Sequence, residues 1–234
     1  MQPRRLLSER IPFGILLSLA GGLMDSYSYL ARGGVFATGQ TGNFVCIAVR
    51  LAQGNGMQAL NHVVPIVFFF LGIFLAQHLH YIKGGVLNPA WKRTVLLVEA
   101  AVFLVVGFLP AAVPDMIANA LISFAASMQY VCFNKLEYNG TYATVFATGN
   151  LRYCAETMHR AIFYRDQEAA RKCFRYMIVL AAFFAGVVLG VILELAMGLR
   201  MAWVISLLLL IGWIALQVYN WHRNRLEKAQ KESV

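Results

Sequence analysis

Four stretches of this sequence, residues 63–82, 116–134, 177–193 and 201–221, run for 17 to 21 positions without a single Asp, Glu, Lys or Arg. A helix needs about 20 mainly apolar residues to cross the hydrocarbon core of a bilayer. Two further stretches, 11–30 and 94–109, of 20 and 16 residues, carry one acid each, Asp25 and Glu99. A chain with six such runs has little choice of fold. In lipid every backbone N–H and C=O must find its partner within the protein, which a helix does locally. Composition agrees: charged residues make up 13% of the chain, where soluble domains carry about 25%. A soluble enzyme, a disordered chain and a disulfide-stapled secreted module are thereby excluded. The expectation is one all-α polytopic membrane domain over residues 1–234. Pro65, Pro110 and Pro114 are read at helix ends or joints, where proline does least harm.

Two weaker apolar stretches, 33–49 and 142–163, are interrupted by Gly, Thr, Asn and charge. Basic residues decide how to read them, because cytoplasmic loops are enriched in Lys and Arg. If both stretches re-enter without crossing, 17 of the 20 basic residues fall on one side. These are Arg4, Arg5, Arg10, Lys83, Lys92, Arg93, the seven from Lys135 to Arg175, and Arg223, Arg225, Lys228 and Lys231. Arg32, Arg50 and Arg200 fall on the other. Eight full crossings, arranged 4+4, reduce the split to about 13 against 7. Six transmembrane helices plus two re-entrant half-helices fit better, with both termini cytoplasmic. The formal charge of +9 then needs no nucleic acid. The basic tail, residues 222–234, suits anionic lipid headgroups.

The weak stretches share letters. Phe36-Ala37-Thr38-Gly39-Gln40-Thr41-Gly42-Asn43 aligns with Phe146-Ala147-Thr148-Gly149-Asn150, with one or two residues of slack. Upstream, Ala20-Gly21-Gly22-Leu23-Met24-Asp25 aligns with Phe124-Ala125-Ala126-Ser127-Met128-Gln129. The order of parts repeats too, giving repeat A (11–110) and repeat B (114–221). Three crossings per repeat is odd, so the second enters from the opposite face: an inverted-topology repeat, as in many transporters. The two Thr-Gly-Asn segments then dip in from opposite sides and approach near the midplane. Irregular backbone at that depth is tolerated only when buried in protein or lining a polar cavity.

These segments carry the expected site. Asn or Thr would cap short helices over 43–51 and 150–161, whose N-termini favour anions or hydrogen-bonding solutes. The substrate-binding set is Asp25, Tyr29, Thr38, Thr41, Gly42, Asn43, Gln129, Asn134, Thr148, Gly149 and Asn150. A carboxylate at a helix centre costs about 2.5–3.5 kcal/mol on insertion scales, so Asp25 should face a cavity or partner. It is read as a proton-coupling or substrate-orienting group, against the alternative that it snorkels or caps the Gly33 turn. Glu99 snorkels or pairs with a neighbouring segment. Arg152 and Glu156 pair at i, i+4. Gly186-Val187-Val188-Leu189-Gly190 is a small-residue packing face.

Cys46, Cys132, Cys154 and Cys173 form no Cys-x-x-Cys pair and read as ordinary small apolar residues. No cofactor, metal or enzymatic constellation is expected. Gly21-Gly22-x-x-Asp25, Tyr29, Gly33-Gly34-Val35-Phe36 and Thr41-Gly42-Asn43, followed by Thr148-Gly149, resemble the YoaK-like family of bacterial integral membrane proteins. The resemblance covers nearly the whole chain. The second half departs from it, with Ser127-Met128-Gln129-Tyr130 where Gly-Leu/Met-Gln-Asn is the family pattern. The resemblance implies a bacterial inner-membrane protein and supplies no substrate. The functional expectation is a secondary transporter or channel-like permease for a small polar or anionic solute. The alternative is a non-transporting scaffold or partner subunit. Small-residue faces are compatible with a homodimer.

Overall fold

The computed structural model describes residues 6–82, 90–136 and 140–232. Arg4, Arg5 and Lys83, which entered the charge argument, lie outside them. Among the described residues the chain is helical, with one short antiparallel strand pair, Lys135–Leu136 with Gly140–Thr141. The α-helices are α1 (Ile11–Ala31), α2 (Gln40–Ala52), α3 (Gly56–Ile82), α4 (Ala90–Phe108), α5 (Asp115–Cys132), α6 (Thr148–Phe163), α7 (Gln167–Met197) and α8 (Met201–Glu232). Each of the six apolar runs lies on its own helix, and the two weak stretches hold α2 and α6.

Local chemistry sets several boundaries. Pro12 stands in the first turn of α1, where its missing N–H costs nothing. Gly33 and Gly34, at φ 78° and 73°, turn the chain after α1 in a conformation that side chains rarely adopt. Asp166 caps α7, accepting from the N–H groups of Glu168 (2.9 Å) and Ala169 (3.0 Å). The Ala169 N–H first, and then the Glu168 N–H and Arg160, hold its carboxyl below the usual carboxylate range. Pro65 departs from expectation. The helix begins at Gly56, so Pro65 lies inside α3, and the Ser123 hydroxyl donates to its carbonyl at 2.7 Å.

Glycine and serine bring the main helix pairs together. In the α1–α7 seam a Cβ on Gly22 would overlap the Phe183 carbonyl, and one on Gly186 the Leu19 carbonyl. Gly186 and Gly190 therefore pack as expected of a small-residue face. In the α3–α5 seam a Cβ on Gly72 would overlap Phe124 O and Ser127 Oγ. α4 lies on α8, where Ser206 Oγ donates to Ala100 O at 2.7 Å. α2 folds back on α3, α6 folds back on α7, α4 touches α5 and α8 touches α1.

The resulting body is apolar on its outside and sets polar side chains within its apolar core. Phe70, Phe74, Phe184 and Leu195 are exposed on α3 and α7, while Ser18, Asn119, Ser123, Ser127 and Gln129 are buried on α1 and α5. Hence Gly56–Ile82 and the stretch Gln167–Arg223 stand out as long and apolar enough to cross a membrane, with mean hydropathy 2.2 and 2.7. The inner helices α1 and α5 have less need of an apolar surface, being covered by their neighbours.

Cys132, Cys154 and Cys173 are buried thiols, as read from the sequence. The structure adds that Cys154 on α6 and Cys173 on α7 bring their sulfurs to 3.8 Å. A small rotamer change reaches bonding distance. Oxidation with copper–phenanthroline should therefore join the peptides containing them, and Cys173→Ser should abolish the product. Two thiols that stay alkylatable after oxidation would show that α6 does not lie along α7.

Candidate functional site

After α1 the chain reverses and runs back along the helix it has just left. Gly34 N donates to Tyr29 O (3.0 Å), Ala37 N to Ser28 Oγ (3.2 Å), and Thr38 Oγ1 to the Asp25 carboxylate. α2 starts at that depth. Gln40 Nε2 donates to Ala37 O (2.9 Å) and to Ser123 Oγ (3.1 Å) in the middle of α5. The second segment does the same on α5: Tyr142 N donates to Asn134 O (3.1 Å), and the Phe146 ring meets Tyr130 at 4.8 Å. Its backbone at Thr144 and Val145 then presses against Gly21 of α1, where a Cβ would overlap the Thr144 carbonyl. Both segments thus reach α1 one turn apart, at Gly21 and at Asp25.

The asparagines of the two Thr-Gly-Asn motifs perform one task. Asn43 Nδ2 donates to Phe36 O at 2.9 Å and Asn150 Nδ2 to Ala143 O at 2.6 Å, each seven residues back. This equates Thr41-Gly42-Asn43 with Thr148-Gly149-Asn150 and sets Phe36 against Ala143, not against Phe146. The remaining capacity is also spent locally. Asn43 bonds Gln40 Oε1 (2.9 Å) and His62 Nδ1 (3.1 Å), while Asn150 bonds Phe146 O (3.1 Å) and Ala143 N (2.9 Å). The expected caps are corrected by the same contacts. α2 and α6 begin at Gln40 and Thr148, their N-caps are Gly39 and Ala147, and no side chain caps either. Asn43 and Asn150 lie inside the helices and tie down the loops before them.

The expected set therefore divides. Thr38 meets Asp25, while Gln129 meets α1 two turns earlier, at Leu17. Thr38 and Gln129 are fully buried, and Gln129 Nε2 donates to Leu17 O at 3.3 Å. Asp25 neither snorkels nor caps the Gly33 turn; it takes the Thr38 hydroxyl. Asn134 and Gly149 line a separate cleft of about 230 Å³ with Gln77, Tyr130, Tyr142 and Tyr153. Tyr29 is 49% exposed and stacks on Phe36 at 4.8 Å. Thr41 and Thr148 are exposed, and Gly42 is half-buried. The eleven residues do not form one pocket.

Ser18 and Thr144, which lie outside the expected set, are buried polar residues that join Gln129 at α1. Ser18 Oγ, Thr144 Oγ1 and Gln129 Oε1 are buried and have no hydrogen-bond partner. Ser18 had a legible signal, since it stands seven residues before Asp25 and so shares its helical face. Thr144 had none, lying ahead of the motif. Glu99 is fully buried with both carboxyl oxygens unpartnered, so it neither snorkels nor pairs. Arg32, counted as a loop charge, is also fully buried. Its guanidinium donates to Tyr27 Oη (3.1 Å), Val106 O (3.1 Å) and Leu109 O (3.2 Å) and lies 3.6 Å from Asp115. Arg152 and Glu156 pair as expected, at 2.7 Å.

Comparison with known proteins agrees with this helical, outwardly apolar body. No solved structure matches the chain. It is 29% identical over 159 residues to the "UPF0700 transmembrane protein YoaK" of Bacillus subtilis (strain 168), covering 65% of this chain and 69% of that protein. The family described as "Protein of unknown function (DUF1275)" matches residues 13–215. The chain is a membrane protein of the DUF1275, YoaK-like family.

Proposed function

We propose that this protein is a multi-pass permease, a secondary transporter or a channel, for a small polar solute that passes between the two Thr-Gly-Asn segments beside α1. In this reading α1, α3, α4, α5, α7 and α8 cross the inner membrane, and α2 and α6 re-enter it from opposite faces. The reading is supported by element lengths. At 13 and 16 residues, α2 and α6 span about 20 and 24 Å at 1.5 Å per residue, short of the ~30 Å hydrocarbon core. An inverted repeat is supported by the pairings. Exchanging α1–α4 for α5–α8 turns the α1–α7 contact into α5–α3, α2–α3 into α6–α7, α4–α5 into α8–α1, and α4–α8 into itself. Each of these is present. Arg10, Lys92 and Arg93 lie at the opposite end of the bundle from Arg32 and Arg200, which favours cytoplasmic termini.

The observation that carries the reading is the meeting of the two segments on one stretch of α1, at Gly21 and Asp25. Of the two solute classes considered, the neutral polar one fits better. The inner side chains are hydroxyls, an amide and a carboxylate, and Arg32 is committed to α4 and Asp115. The test is uptake by proteoliposomes across a panel of polar metabolites and ions, with and without a pH gradient. Asp25→Asn should cut the flux by about tenfold or more, the order expected for loss of a charged hydrogen-bond acceptor. Wild-type flux equal to that of empty vesicles across the panel would leave the scaffold reading. Flux unchanged by Asp25→Asn would remove Asp25 from the mechanism.

A further inference from the structure

We infer that the turn of α1 holding Leu17, Ser18 and Gly21 forms, with Gln129 and Thr144, a binding site for a small monovalent cation of the sodium type. The inference deepens the permease reading, in which this ion would be the coupling ion. Three helical or re-entrant elements converge here. Gln129 of α5 is held to α1 through its amide N–H₂, at 3.3 Å from Leu17 O, which leaves its carbonyl oxygen free. The backbone carbonyl of Thr144 stands against Gly21, where only a residue without Cβ leaves it room. Ser18 belongs to the same turn. Ser18 Oγ, Gln129 Oε1 and Thr144 Oγ1 are fully buried and unpartnered.

An unpaired buried polar oxygen costs about 1–3 kcal/mol, so three carried by residues that meet one turn of α1 call for an occupant. Every free atom of the group is an oxygen, and none belongs to a cationic side chain. Hard cations are the ligands that oxygen sets of this kind accept. The charge balance limits the ion. Ser18, Gln129 and Thr144 are neutral, and the nearest acid on this face, Asp25, is a full turn beyond Gly21 and already holds Thr38. A divalent ion would bring a second charge with no carboxylate to match it. A single positive charge fits, and the close backbone approach at Gly21 favours a small one.

Thermal unfolding of the purified full chain in detergent tests this, in sodium chloride against choline chloride at equal ionic strength. Sodium at tenfold over its Kd should raise Tm by about 3–6 °C, saturably. Thr144→Val and Ser18→Ala should each abolish the response while leaving Tm in choline unchanged or higher. Where one variant fails to fold, the other decides. Equal Tm in sodium and choline overturns the inference and reduces the oxygens to water sites, as does a sodium response that persists in both variants. Because no transport is assayed, the two readings fail separately. Sodium binding without flux would overturn the permease, and flux without a sodium response would overturn the ion site.

Discussion

Arg32→Ala should destabilise the protein by about 2–5 kcal/mol, because it leaves two backbone carbonyls without a donor at about 1–3 kcal/mol each. The cost arises at the end of α4. The last carbonyls of any helix lack partners within it, and Val106 O and Leu109 O take theirs from the Arg32 guanidinium. The same side chain bonds Tyr27 Oη, which in turn donates to Leu199 O beyond α7. Asn119 of α5 donates to the Arg32 carbonyl at 2.8 Å. One residue therefore ties α1, α4, α5 and the α7–α8 turn. Asp115 is 46% exposed, so most of the loss comes from the carbonyls and not from a stranded charge. Arg32→Lys should recover little, since an ammonium cannot serve two carbonyls and a phenol in the fixed fork of a guanidinium. Arg32→Met preserves much of the volume and separates packing from hydrogen bonding. Unfolding of each variant in detergent, followed by Tm or denaturant midpoint, gives the values. An Arg32→Ala protein within about 1 kcal/mol of wild type would show that the cluster is open to water.

The six long helices were legible because each carries an apolar run about as long as a helix that crosses lipid needs. Hydropathy reports immersion, however, and helices outlast it. α3 starts at Gly56, ahead of the run at 63, through Gln58, Asn61 and His62. α7 starts at Gln167, ahead of 177, and α8 continues past 221 to Glu232. These extensions are polar, so the apolar pattern stops where the backbone does not. Pro65 was misplaced for this reason.

At the site, Asp25 was legible as the one acid of its apolar run, Gln129 as its counterpart in the second half, and the Thr-Gly-Asn motifs as a repeated irregularity. What the asparagines do was not legible, because their partners are backbone carbonyls of loops whose path no spacing reveals. Arg32 was hidden differently. A charge beside Gly33-Gly34 reads as a loop residue, and its burial depends on the end of α4, more than seventy residues away. Thr144 becomes part of the site only because Gly21 admits its carbonyl.

The second large effect is expected at the glycines of the two long seams. Alanine is better than glycine in a helix interior by about 1 kcal/mol, so a substitution with free space should be neutral or stabilising. Gly56, at the first position of α3 with nothing within 4 Å of an added Cβ, is the unobstructed control and should change stability little. At Gly22 and Gly186 the obstacle is a backbone carbonyl of the facing helix, Phe183 O and Leu19 O respectively. A carbonyl in a helix cannot rotate away, so α1 and α7 must separate along the seam. Overpacking of this kind costs about 1–3 kcal/mol, which outweighs the gain in propensity. Gly22→Ala and Gly186→Ala share one seam, so the double variant should cost less than the sum of the singles. Gly72→Ala, in the α3–α5 seam, should add independently to either. Midpoints of unfolding in detergent for the four singles and three doubles test the pattern. Gly22→Ala and Gly186→Ala as stable as Gly56→Ala would mean that α1 and α7 do not meet at these carbonyls. The functional consequence follows from position. Gly22 is next to Gly21, so opening this seam also moves Gly21 relative to Thr144, and under the proposed permease function flux should fall in Gly22→Ala even where the protein remains folded.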